Sequence, residues 1–483
     1  MGRDRRRSTL TPALSLGGRG RNAAALFDQQ MTPLFAILFF AVSLAVAFAA
    51  GPGTCFALLY LPAVLLLHSV SGISVPTIPA LTPTTAATYA ILLSLIPRIG
   101  QPLGFRLNLV DAAVIALSAA AIVSETKTDP DASGFNQCAI QTVFWLFPYF
   151  IARAHFGSLR FRRQCLRSIV VCLLVLLPFT LIETRLWPQF YVQTLGRLGL
   201  DAHSLGFPYN RFGLFRAETS FQHPIYMGDA CLVLLGFLAL LGATLPAADR
   251  RFGFRLATAS ALAGVLFALS IGPLLGVGIA IALFVALRYV RALRPMLPIA
   301  VIAAIAFGFL FMHRLAHEEL GDRPDGAVES SAWVRKRIVQ DSWELATHAG
   351  PWGLGREIDP AILPIDSVDN AYLLFAMCRG WVFSSIWLAL PVLVAWRIGK
   401  GLIADTPGQQ HVVPLAAAGS AILAMSFAFF GVWAGWQGET YTVLWLALIG
   451  CTMTAADAAI AVGAPSPNFR PRSIRPLAGV ALA

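Results

Sequence analysis

The chain has 483 residues, 57% of them hydrophobic and only 13% charged. A soluble domain carries about a quarter charged residues, so a soluble globular protein is excluded. The apolar runs do not alternate with polar residues as outer-membrane strands do, and the net charge of +11 sits in short loops between those runs. That distribution marks a cytoplasmic membrane face and no nucleic-acid partner.

Residues 1–30, with "RDRRR" near the start, read as a disordered basic leader. They are not a signal peptide, because the apolar run that follows is too long and lacks a small-residue cleavage pattern. A helix needs roughly 20 apolar residues to cross the hydrocarbon core, where every backbone amide must bond internally. Such runs occupy 33–50, 54–71, 84–97, 108–124, 137–153, 168–184, 225–243, 256–270, 274–290, 296–312, 371–397, 413–431 and 440–456.

The loops "RAHFGSLRFRRQCLR" (153–167), "DRRFGFR" (249–255), "RYVRALR" (288–294) and "RIGK" (397–400) are basic. They alternate with acidic or mixed segments at 125–133, 185–224 and 313–370. The basic set is therefore cytoplasmic and the two long segments lie outside. Counting back places the N-terminus outside, against its own arginines. Either the short run 84–97 does not cross, or the leader is not native and translation begins at Met31. The expectation is an all-α, polytopic transmembrane helical bundle of about 12 spans with its N-terminus inside. It divides into the leader (1–30), N-terminal helices (31–312), a large periplasmic loop (313–370), C-terminal helices (371–456) and a cytoplasmic tail (457–483).

Seven cysteines, mostly in or beside apolar runs, show neither a metal spacing nor a disulfide framework. They read as small buried hydrophobes, and no cofactor or metal is expected. No inverted repeat or matched pair of broken spans is visible, which argues against a secondary transporter.

The outer segments carry the chemistry. Basic residues are selected for the inside, so Arg185, Arg197, Arg211, Arg216, Arg314, Arg323, Arg335, Lys336, Arg337 and Arg356 call for a reason to be outside. In "FRAETSFQHPIYMG" (215–228), Arg216 and Glu218 form either a salt bridge or part of a site. His223 either orients that site or caps the helix that Pro224 begins. Asp229 lies inside the span and is expected to face the bundle interior. Glu183 reads as an interfacial cap, and Asp341 and His348 as solvated.

In 330–355, Val334, Ile338 and Leu345 share one face of an amphipathic helix at the membrane surface, which Gly350 and Pro351 end. Arg335, Lys336 and Arg337 fall in its first turn, where the helix dipole disfavours cations by roughly 0.3–1 kcal/mol. Lipid headgroups or an anionic ligand such as a diphosphate would compensate. Asp369 and Asn370 start the next span, as a helix cap or as a base beside an acceptor hydroxyl. Arg379 interrupts that span and is expected to face protein or a wet cavity.

Four segments together resemble the O-antigen ligase and polysaccharide polymerase superfamily (the Wzy type). They are "RAETSFQHPIYMG" (216–228), "FALSIGPLLGVGIAIAL" (267–283), "SAWVRKRIVQDSWELATHAGPWGLG" (331–355) and "VDNAYLLFAMCRGWV" (368–382). The similarity covers most of the chain from about residue 105. Gly272 and Pro273 replace the family's Arg-Gly, so no arginine carries over there, and Asp369 stands where ligases typically carry histidine.

The resemblance implies a bacterial inner-membrane glycosyltransferase, independent of metal. It would polymerise polyprenyl-diphosphate-linked oligosaccharide repeat units at the periplasmic face. It implies Arg216 and Arg335 on the diphosphate, with Arg211 and Arg337 in support. Asp369 would be the base, with Glu218 and His223 as orienters or substitutes, and Asn370 and Tyr372 would bond sugar. Membrane lipid, a flippase and a chain-length regulator are the expected partners. A ligase moving finished glycan to another acceptor and a glycolipid transporter or flippase are the alternatives.

Overall fold

The computed structural model describes residues 20–75, 78–99, 105–128, 134–204, 210–249, 252–322, 327–355, 368, 370–404, 412–431 and 440–463. Each of the thirteen apolar runs folds as helix: α1 (Gly20–Ala50), α2 (Pro52–Leu66), α3 (Pro83–Leu95), α4 (Leu109–Thr128), then α5, built from Gly134–Gln141 and Phe147–His155 around a π-helical turn at Thr142–Leu146. Next come α6 (Leu159–Arg185), the short outer α7 (Phe190–Arg197), α8 (Pro224–Thr244), α9 (Phe252–Phe267), α10 (Ile271–Tyr289) and α11 (Leu293–His317). The outer helix α12 (Ala327–His348) precedes α13 (Ala371–Ala404), α14 (Val412–Ala428) and α15 (Thr440–Gly463). Strand is confined among the described residues to two small hairpins, β1 (Ile73–Val75) with β2 (Ile78–Leu81) and β3 (Asn210–Arg211) with β4 (Leu214–Phe215).

Eight of these helices are long and apolar enough to cross a membrane. α8 and α15 are buried at the centre, against α13 and α14. α1, α10 and α11 form a rim whose Leu34, Leu38, Leu275, Phe307 and Leu310 are exposed, as lipid contact requires. Lipid tails are as apolar as leucine, so close packing is what holds helix to helix. Gly236 of α8 illustrates it: an added Cβ would lie 2.5 Å from the Ala421 Cβ of α14.

The helices alternate between two ends. One end gathers the basic loops. There Arg153 Nη2 donates to Asp111 (2.9 Å) and to Asp457 (2.8 Å), Arg163 pairs with Asp249, and Arg294 donates to the Leu402 carbonyl. The opposite end gathers both long segments. There Ser71 N–H donates to the Asp201 carbonyl, Ser124 to Trp352, and Tyr372 to Ser426.

α1 departs from expectation. Thr32 accepts from the Asp201 N–H at 2.8 Å, at the end of the long segments, and Ala50 lies at the basic end beside His155. α3, from the short run, also joins the two ends. Its start is extended by the β1–β2 hairpin and a Thr82–Thr85 capping box, and its finish by a 3-10 turn at Ile96–Arg98. Residues 20–30, expected in the leader, continue α1 as helix.

α12 begins at Ala327, not near 330, so Arg335 to Arg337 lie in its third turn and carry no dipole penalty. It does not present its apolar face to a lipid surface. Ile338 and Val339 are buried against Met312, Leu373, Leu374 and Met377 of α11 and α13, while Val334 is exposed.

α13 is broken at Gly380 (φ 78°, ψ 178°). A break inside lipid would orphan backbone groups, yet the segment after α12 fills the gap. Leu354 N–H donates to the Met377 carbonyl (2.7 Å) and Gly355 N–H to Cys378 (3.1 Å). Trp381 N–H donates to Gly350 (3.1 Å) and Val382 N–H to Pro351 (3.3 Å). Arg379 is buried against protein and pairs with Glu125 of α4 at 3.2 Å.

Candidate active site

The site lies at the end opposite the basic loops, where the 210–223 segment folds over the α9–α10 turn. The β3–β4 hairpin turns through Phe212 and Gly213, both at positive φ. Ala217 N–H then bonds the Phe267 carbonyl. Arg216 Nε donates to the Ala268 carbonyl (3.0 Å) and Arg211 Nη1 to Leu269 (2.9 Å). Carbonyls at a helix C-terminus are its negative pole, so both guanidinium groups are anchored on one turn.

Arg335 reaches the same place from α12. Its charge acts on Arg211 and on Asp229, and among the described residues it makes no hydrogen bond or ion pair. Burial and the neighbouring Arg335 charge lower the Arg211 guanidinium below its ordinary range. Its two companions on α12 are engaged elsewhere. Lys336 bonds the Glu319 carbonyl, and Arg337 pairs with Asp341 on its own helix and lies over Trp333. The structure thus seats Arg211 and Arg216 on one turn, with the Arg335 charge acting on Arg211, and leaves Arg337 engaged on its own helix.

The carboxylates divide by partner. Glu183, at the end of α6, accepts from the N–H groups of Tyr191, Glu218 and Thr219 at 2.9, 3.0 and 2.8 Å. It is therefore the scaffold of the loop, a larger role than an interfacial cap. It holds Thr219 at φ 46°, an outlier for a β-branched residue, and strain of this kind gathers at functional sites. Glu218 is 3% exposed and accepts from Ser204 Oγ at 2.5 Å. Burial pushes its carboxyl up to about 8, and the Glu183 charge adds to this against the hydrogen bonds from Ser204 and Gln189 and the Arg216 charge.

A consequence follows for stability. The folded protein keeps a proton on Glu218 where the unfolded chain has already released it near its ordinary value of 4.5. This contribution is complete below 4.5, declines as pH rises toward about 8, and then stays lost. Thermal unfolding in detergent across that window should show the slope, and Glu218→Gln should flatten it.

Asp229, one turn and a half into α8, is fully buried, as expected, and neither of its oxygens has a hydrogen-bond partner among the described residues. A buried carboxylate in that state is costly. Neighbouring Gly228 lets α8 close on Pro273 and Ala268, so Asp229 lies just beneath the turn that both arginines hold. Leu232 and Gly236, on the Asp229 face of α8, line an apolar groove of about 480 Å³ between α8, α9, α10 and α14. The sequence marks Asp229 only as an acid within a span; its lack of partners is a tertiary fact.

The remaining candidates are occupied. His223 Nδ1 accepts from the Ile225 N–H (3.2 Å) and caps α8. Asn370 caps α13 by accepting from Leu373 N–H (3.1 Å), with its amide on Met312. Tyr372 is buried with its hydroxyl on the Ser426 carbonyl (2.7 Å), so neither residue presents a surface to sugar. Asp369, Arg323 and Arg356 lie outside the described residues.

Fold and site together define a polytopic helical membrane protein with a cationic site at the end opposite its basic loops. No protein-family model matches the chain, and no curated protein matches it.

Proposed function

We propose that the protein is a bacterial inner-membrane glycosyltransferase that polymerises polyprenyl-diphosphate-linked repeat units at the periplasmic face. On this reading the thirteen alternating helices are thirteen crossings, and α1 starts on the periplasmic side. The observation that carries the proposal is the anchoring of Arg211 and Arg216 on one helix turn, with the charge of Arg335 from a distant segment acting on Arg211. Guanidinium forks bind phosphates bidentately, and a cluster of like charges favours an anion between them.

The reaction joins the acceptor hydroxyl oxygen to the anomeric carbon while the carbon–oxygen bond to the diphosphate breaks. The bonding pair leaves with the diphosphate, where Arg211, Arg216 and Arg335 stabilise the developing charge. The hydroxyl proton passes to a carboxylate. Glu218, pushed up to about 8, serves as that base in the fraction of molecules in which it has lost its own proton, a fraction that grows toward pH 8; Asp369 is the second candidate.

The test is deletion of the gene followed by sizing of surface polysaccharide. Loss of long chains with retained single repeats is expected, and a Glu218→Gln copy should restore little polymer. Intact polymer detached from its anchor would instead indicate a ligase, and lipid-linked units stranded on the cytoplasmic side a flippase.

A further inference from the structure

The basic end contains a second cavity, of about 400 Å³, that the proposed reaction does not use. Arg98, His155 and Arg160 line it, with Phe48 of α1 and Phe161 of α6, and none of its lining residues is acidic. Two helices start at its wall. α2 starts after Gly51 (φ 94°) with no side-chain cap, and α6 starts after Ser158. Their first-turn N–H groups add partial positive charge. Gly53 is needed here, because a Cβ at that position would lie 2.8 Å from the His155 ring.

Position sets Arg98 and Arg160 apart. Arg153, Arg163, Arg294 and Arg397, at the same end, are hydrogen-bonded to carboxylates or carbonyls, and Arg167, Arg255 and Arg291 lie outside the cavity lining. Arg98 and Arg160 make no hydrogen bond or ion pair among the described residues, and the Arg98 charge acts directly on His155. Cations facing one another around a cavity without a carboxylate are arranged for an anion from elsewhere. The cavity opens beside the end of α1, whose Leu34, Leu38, Val42 and Phe48 are exposed, so acyl chains have a surface to follow.

We infer that Arg98, Arg160 and His155, with the two helix starts, form a binding site for the phosphate of an anionic phospholipid in the leaflet at the basic end. The inference is independent of the glycosyl-transfer reading. Free phosphate offers the same headgroup chemistry, and the test separates the two sources.

The protein would be purified in mild detergent and bound phospholipid counted by native mass spectrometry. It would then be reconstituted in nanodiscs of phosphatidylglycerol or phosphatidylcholine for thermal unfolding. The wild type is expected to retain phosphatidylglycerol at least about tenfold above Arg98→Gln/Arg160→Gln, and only the wild type should be stabilised by that lipid. Both positions are exposed, so the double variant should fold. Arg255→Gln/Arg291→Gln, exposed cations away from the cavity, should match the wild type. Equal lipid retention by wild type and Arg98→Gln/Arg160→Gln overturns the site. Stabilisation by inorganic phosphate with no retained lipid overturns the lipid assignment.

Discussion

Arg335→Ala is expected to reduce polymer on the order of 100-fold at unchanged protein level in the membrane. A charged hydrogen bond contributes about 1.5–3 kcal/mol, and each 1.4 kcal/mol is a factor of ten. Arg335 is the one guanidinium of the three with no hydrogen bond or ion pair to the described protein, so the substitution breaks no hydrogen bond of the fold, and the immunoblot checks that the protein level holds. Arg335→Lys keeps the charge and loses the fork, and should recover only part of the activity. Arg337→Ala, two residues along and already paired with Asp341, should leave polymer within about twofold of wild type. The readout is the chain-length ladder of surface polysaccharide, beside an immunoblot of the tagged protein. Equal loss from Arg335→Ala and Arg337→Ala would mean that the cationic stretch acts as a diffuse surface charge.

The second large effect concerns the broken helix. Gly380→Ala is expected to destabilise the protein by about 3 kcal/mol or more. The position has φ 78°, and an added Cβ would lie 2.4 Å from Gly353 N and from the Pro351 carbonyl. Gly353→Ala should act alike, since its Cβ would lie 2.3 Å from the Cys378 carbonyl oxygen. Either change expels the 350–355 strap and leaves the backbone groups at the break without partners inside the bundle. Thermal unfolding in detergent and protease access to the 313–370 segment would measure it. Gly278→Ala in α10, with nothing within 4 Å of the added Cβ, serves as the comparison. Unchanged melting in both strap variants would mean the strap does not hold the break.

These features differ in how far the sequence announces them. Apolar runs near membrane length become helices because lipid leaves their amides no other partner, so composition along the chain was enough to find all thirteen. The capping by His223 was equally local, a ring and an N–H two residues apart. Glu218 was not. Its raised carboxyl depends on Ser204, Glu183 and burial, and only the folded chain supplies these together. The glycine-rich motif at 350–355 and the interruption at Arg379–Gly380 were each visible as oddities. That one fills the other is a matter of backbone spacing that no periodicity records. The start of α12 was misplaced by three residues, and with it went the dipole argument for its cations.

The Glu125–Arg379 pair has a consequence for the order of biosynthesis. Glu125 enters the bilayer when less than a third of the chain has been made, and Arg379 follows 254 residues later. Until then the carboxylate has no cation in its final position. The strap at 350–355 reaches the translocon before the helix whose break it fills, and must wait outside for it. Arrival of α13 therefore pairs Glu125 and engages the strap in one event, and it closes the second side of α12, whose Gln340 bonds the Leu315 carbonyl of the earlier α11. The seat of α12, and with it the position of Arg335, is therefore complete once α13 is in place, two helices before the chain is finished.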